Sequence, residues 1–88
     1  LVWTIEYTDK ALAQLRKMDR QTARRILDHL DKRIAYLDDP RTTGKGLTGP
    51  LGGLWRYRIG DYRVICRIDD RTIRIVVLTA GHRKNVYD

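Results

Sequence analysis

The 88-residue chain has one cysteine, Cys66, so no internal disulfide can form, as fits a reducing compartment. Long apolar runs are missing too. The longest, Ile75–Leu78 with Ala80 just beyond, falls far short of the ~20 residues that span a bilayer. The N-terminus lacks the basic-then-apolar pattern of a signal peptide. The expected address is therefore cytoplasmic, with no membrane partner. The two histidines, His29 and His82, stand too far from each other and from Cys66 for a convincing zinc site. There is no P-loop, and Gly49, Gly52 and Gly53 lack the strand-to-helix context of a dinucleotide fingerprint. Neither metal nor other cofactor is expected. Acidic residues are scarce: 11 against 18 Lys and Arg, a net charge of +7. Such a surplus is an argument about partners, nucleic acid first. An acidic protein and a membrane surface are weaker candidates. Repeats, low-complexity tracts and linkers are absent, so residues 1–88 read as a single domain with one modest core.

What is present is a pair of short strands that alternate arginine with large apolar residues, Trp55–Ile59 (WRYRI) and Tyr62–Ile68 (YRVICRI). Gly60-Asp61 between them suits a type II′ hairpin turn. That turn sets Ile59 opposite Tyr62, Arg58 opposite Arg63, Tyr57 opposite Val64 and Trp55 opposite Cys66. One face is then apolar, and the other carries Arg56, Arg58, Arg63 and Arg67. Like charges directly opposite each other destabilise a sheet, and a domain this small has little stability to spare. A polyanion that completes the cluster would resolve the conflict.

The remaining segments follow from periodicity. Val2–Tyr7 alternates and is rich in strand formers. Thr8 or Asp9 can cap a short helix over Lys10–Met18. Asp19 can cap a longer one that ends at Asp39-Pro40, with Ala23, Ile26, Leu27, Leu30, Ile34 and Leu37 on its apolar side. Residues 40–53 hold both prolines and five of the seven glycines and read as a long ordered loop. Arg71–Thr79 reads as the last strand. A two-residue turn at Asp69-Asp70 would pair it so that Ile73 meets Cys66 and Ile75 meets Val64, with Arg74 on the arginine face beside Ile65. The order β-α-α-β-β-β gives an α+β fold: a largely antiparallel twisted sheet, with two helices covering its apolar face and the arginine face left open.

Arginine carries a fixed charge and a planar fork of donors that fits phosphate oxygens. Several around one phosphate stabilise the charge that builds as an oxygen attacks it. The plainer reading is a solvated basic face. The tail adds His82, Arg83, Lys84 and Tyr87. A tyrosine there could stack on an unpaired base or act as a base itself, or simply anchor a frayed terminus. Cys66 reads as a buried structural thiol, and His29 as a surface residue on the second helix. The basic residues of the helices read as a solvated face that could also serve as a second polyanion contact.

The segments LDDPR, GLTGPLGGLWRYRIGDYRVICRI and IVVLTAGHRKNVYD, in this order and spacing, resemble the RelE-type toxins of bacterial toxin–antitoxin modules, within the RelE/ParE superfamily. The resemblance covers essentially the whole chain. It implies a ribosome-dependent endoribonuclease that cuts mRNA in the ribosomal A site without a metal. Its partners would be mRNA, ribosomal RNA and a cognate protein antitoxin. Carried over by position, Arg63 would grip the scissile phosphate, with Arg56 and Arg58 beside it. Arg83 would assist the leaving group, and Tyr87 would stack on the base and help remove the 2′-proton. Arginine is a poor general base, so Tyr87 or pure positioning would carry proton removal, with His82 a candidate donor. Arg67, Arg74, His82, Lys84 and Lys45 are the expected RNA contacts. A ParE-like inhibitor of DNA gyrase on the same fold is the alternative, and a non-catalytic nucleic-acid module a third reading.

Overall fold

The computed structural model describes residues 1–82. The chain forms strand β1 (Thr4–Tyr7), helices α1 (Asp9–Lys17) and α2 (Arg20–Asp28), and strands β2 (Lys45–Gly46), β3 (Trp55–Ile59), β4 (Tyr62–Asp69) and β5 (Arg74–His82). The sheet order is β1-β5-β4-β3-β2. β1 lies parallel to β5 and the other neighbours are antiparallel. This is the expected α+β arrangement. Ala11, Leu15, Ile26, Leu30 and Ile34 of the helical segment pack against Tyr57, Ile59, Val64, Cys66, Ile75, Val77 and Ala80 of the sheet. The opposite face is left to the arginines.

Local chemistry accounts for the helix starts. The Thr8 hydroxyl accepts from the Ala11 amide at 3.1 Å, and the Asp19 carboxylate accepts from the Thr22 amide at 3.1 Å. Both satisfy amides that have no partner within their helix. The second helix departs from the single regular element expected. After Asp28 it widens into a π turn over His29–Arg33, then tightens into a 3₁₀ turn over Ile34–Tyr36. Ile26, Leu30 and Ile34 recur every fourth residue, a spacing that drifts around a 3.6-residue helix. The wider turn keeps all three on the sheet, where each is at most 2% exposed.

The β3–β4 hairpin forms in the expected register, with Arg58 opposite Arg63 and Tyr57 opposite Val64. Gly60 has φ +61° while Asp61 does not take positive φ, the pattern of a type II′ turn.

Three features differ from the sequence reading. First, the loop over residues 40–53 contains β2, which pairs Lys45 with Arg56 and Gly46 with Trp55. The loop is held down by aromatic donors: Tyr57 Oη bonds the Pro40 carbonyl at 2.6 Å, and Trp55 Nε1 bonds the Thr43 carbonyl at 2.7 Å. Second, the β4–β5 turn is not two residues at Asp69-Asp70. It occupies residues 70–73 and ends on Ile73 at φ +54°. The Asp69 side chain accepts from the Arg71 and Thr72 amides, and Arg41 grips Asp70 through two bonds of 3.0 Å. The last strand is therefore Arg74–His82 and not Arg71–Thr79. Ile75 meets Ile68 and Val77 meets Cys66. Third, the β4–β5 ladder carries a bulge. Ile65 faces Thr79 but Cys66 faces Val77, which leaves Leu78 as the extra residue. The core side of β5 is odd-numbered before the bulge (Ile75, Val77) and even-numbered after it (Ala80).

Candidate nucleic-acid interface

Pairing places Arg56 opposite Ile65 on one side and Lys45 on the other, and Arg58 opposite Arg63. Paired residues share a face, so Lys45, Arg56, Arg58, Arg63 and Arg67 lie on the side of the sheet away from the helices. Ile65, in the middle of this charged face, is only 2% exposed. Arg56 is half-buried, and its Nε is shielded from solvent with no hydrogen-bond partner among the described residues. Arg58 and Arg67 are exposed and Arg63 is half-buried. Arg58 and Arg63 line a cleft of about 180 Å³ with Gly60 and Asp61. On the β5 side, Arg63 pairs with Gly81, so that strand sets no side chain directly beside it. This follows from the bulge: uninterrupted alternation would have turned Gly81 to the core.

Other expected site residues fall elsewhere. Arg74 is on the arginine face, but at its far end, opposite Asp69 and not beside Ile65. Its guanidinium is engaged by both carboxylate oxygens of Glu6 at 3.3 Å. His82 pairs with Tyr62, and the two rings meet edge to face at 5.6 Å. That puts His82 on the side opposite Arg63. Arg83, Lys84 and Tyr87 lie outside the described residues.

The sequence reading counted Arg25, Lys32 and Arg33 among helix cations that could form a second polyanion contact, and the structure sets them in a basic groove around the corner. Arg25, His29, Lys32 and Arg33 line it from the second helix, and Arg58 and Ile59 from β3. The spacing 25, 29, 32, 33 was visible as a helical stripe. Its position beside β3 was not. His29, taken for a surface residue, is half-buried; burial first, then Arg33 and Arg25, hold its pKa below the ordinary 6.5.

Cys66 is fully buried and desolvation pushes its thiol up to about 12, which leaves it protonated and inert. Tyr57 and Tyr7 are also shifted upward, chiefly by burial. For all three the unfolded chain releases its proton first. Their linked stability is complete at neutral pH and is lost as pH rises beyond the thiol's usual 9.0 towards about 12. The urea midpoint should therefore fall steadily over that range, while Cys66 stays unreactive to thiol reagents in the native state at pH 8. Reaction at the rate of a free thiol would contradict this. Among the described residues no group of three or more His, Cys, Asp and Glu is placed to hold a metal ion. Nor is any helix of these residues long and apolar enough to cross a membrane.

Residues 5–87 match the sequence model of the family described as the ParE toxin of type II toxin–antitoxin systems. The chain belongs to this toxin family. It is a type II toxin of the RelE/ParE superfamily. The toxin is 30% identical over 88 residues to toxin RelG of Mycobacterium tuberculosis, covering 97% of this chain and 95% of that one. It is 36% identical over 76 residues to toxin RelE of the same organism, covering 75% and 78%. Among solved structures it is similar to the toxin–antitoxin complex RelBE2 of M. tuberculosis. There the TM-score is 0.86 at 27% identity, over 97% of this chain and 95% of that one. The archaeal RelE–RelB complex of Pyrococcus horikoshii gives a TM-score of 0.73 at 26% identity, over 98% and 100%.

Proposed function

We propose that this toxin is a ribosome-dependent endoribonuclease that cuts mRNA by attack of a ribose 2′-oxygen on the adjacent 3′-phosphate. The observation that carries the reading is the open arginine face, with Arg58 directly opposite Arg63 and Arg56 and Lys45 alongside. In the step, the 2′-oxygen bonds to phosphorus and loses its proton, while the bond to the 5′-oxygen breaks and that oxygen takes up a proton. The products are a cyclic phosphate and a free 5′-hydroxyl. The transition state gathers charge on the non-bridging oxygens, which is what a fixed guanidinium cluster stabilises. On this reading Arg63 holds the scissile phosphate, flanked by Arg56 and Arg58, and Arg67 and Lys45 hold the neighbouring backbone. Removal of the 2′-proton falls to Tyr87 and assistance of the leaving group to Arg83, following the superfamily resemblance. A constellation made of charge and little acid–base chemistry gains most from a partner that presents the mRNA already aligned, which supports ribosome dependence. The relatives solved as complexes with antitoxins support a cognate protein antitoxin that covers the basic surface.

The second reading, inhibition of DNA gyrase, is favoured by the ParE family match. One experiment separates them. Purified toxin is added to ribosomes translating a defined mRNA, to the naked mRNA, and to a gyrase supercoiling reaction. Cleavage confined to the ribosome-bound message is expected. Blocked supercoiling with intact message would overturn the nuclease.

A further inference from the structure

We propose that the groove between the second helix and the free edge of β3 is a second track for an RNA phosphodiester backbone, continuous with the arginine face through Arg58. The proposal extends the RNA-directed reading above to a surface that the chemistry does not require.

β2 pairs only with Trp55 and Arg56. Beyond them, Tyr57–Ile59 has no strand partner on its outer edge among the described residues. Along that edge runs a groove of about 490 Å³, walled by Arg25, Asp28, His29, Lys32, Arg33 and Arg58. It holds four permanent cations and one carboxylate, and Asp28 already lies 3.5 Å from Lys32. Arg58 and Gly60 line both this groove and the cleft that contains Arg63. A backbone leaving the Arg63 cleft thus meets cations without interruption around the edge of the sheet.

Three features favour nucleic acid over an acidic peptide. Apart from Ile59, which is 5% exposed, the groove offers no apolar side chain, whereas peptide grooves depend on apolar anchors. The cations come from two elements and converge on one channel, the arrangement that tracks a phosphate chain. The π turn that widens the helix at His29–Arg33 carries three of the lining residues, and such turns recur at functional sites. Burial first, then Arg33 and Arg25 on its own helix, lower the His29 pKa, and Lys32, Asp28 and Arg58 line the groove around it. His29 therefore reports on any anion that enters.

The test compares two charge-matched triple variants of the toxin. One is Arg25→Gln, Lys32→Gln, Arg33→Gln in the groove. The other is Arg16→Gln, Arg20→Gln, Arg24→Gln elsewhere on the helices. Binding of a short labelled polyuridine strand is followed by anisotropy across a salt series. Losing three phosphate contacts should lower the slope of log affinity against log salt by about 2, roughly a 100-fold loss of affinity at 0.1 M salt. The control triple should keep the slope within about 0.5 of the parent. In the parent toxin, RNA should also raise the His29 pKa towards 6.5. Equal losses in the two triples would mean that only net charge matters and would overturn the track. So would an unchanged groove triple, or one that loses antitoxin affinity alone, which would give the groove to a peptide. The binding assay needs neither ribosome nor cleavage, so a negative result in the ribosome assay would leave it intact. Conversely, a failed groove would leave the nuclease standing.

Discussion

Arg63→Ala should lower cleavage of ribosome-bound mRNA by about 10²–10³-fold, the usual loss when one transition-state charge donor is removed. Arg63 sits mid-sheet on β4, half-buried, with Arg58 opposite on β3 and Gly81 opposite on β5. No loop carries it, so its backbone is held by a ladder on both sides. The fold should not suffer. Removing one of two directly opposed cations relieves repulsion, and an opposed pair of like charges is worth only tenths of a kcal/mol to about 1 kcal/mol. The urea midpoint of the variant should lie close to that of the parent. Single-turnover cleavage on programmed ribosomes, measured beside the denaturation curve, separates the two effects. Near-normal cleavage in a folded variant would remove Arg63 from the chemistry. A loss that follows a fall in stability would make it structural.

Gly44→Ala should cost about 2–4 kcal/mol of stability, a backbone term compounded by a collision. Gly44 has φ +82°, and a Cβ built on it would stand 2.4 Å from the Arg56 carbonyl oxygen, 2.6 Å from Trp55 Nε1 and 3.0 Å from Tyr57 Cδ1. The first of these is backbone of a paired strand and cannot step aside. The second is the donor that ties the loop down at Thr43. The variant must either lift the loop, which dismantles β2 and withdraws Lys45 from Arg56, or distort β3 itself. At about 4–8 °C per kcal/mol for a domain of this size, the melting temperature should drop by more than about 8 °C. Lys45→Ala, at an exposed neighbour, should stay within about 0.5 kcal/mol. Equal melting temperatures for the two variants would show that the close approach at Gly44 is not constraining.

The β3–β4 hairpin was legible because its turn residues and its alternation give the same answer. Gly60 takes the positive φ of a II′ turn, and the two-residue loop leaves one register. The β4–β5 turn was not legible in that way. Asp69-Asp70 fits several turns, and the one adopted depends on Arg41, 29 positions away in the chain, gripping Asp70. The register error that follows is even, so Ile73 and Ile75 stay on the apolar side as expected. An odd slip would have inverted the strand. β2 was hidden for a similar reason: two residues leave no periodicity to read, and their pairing with β3 rests on indole and phenol bonds that close over long separations. The groove cations were visible as a helical stripe, but a stripe does not say which strand lies beside it.

By itself the sequence determined the α+β class, the cap at Asp19, the narrowing of the first cap to Thr8 or Asp9, and the apolar and basic faces of the hairpin. It also determined the opposition of Arg58 and Arg63. Each of these follows from short-range geometry: turn dihedrals, a period of two or 3.6, a side chain capping an amide three residues on. The tertiary structure alone decided what stands around that pair. The bulge at Leu78 sets Gly81 beside Arg63 and sends His82 to Tyr62. Glu6 on the parallel strand β1 engages Arg74. The two-residue β2 brings Lys45 to Arg56, and its brevity leaves the rest of β3 open to the helix cations. These outcomes depend on contacts between segments far apart in the chain, which no local pattern encodes.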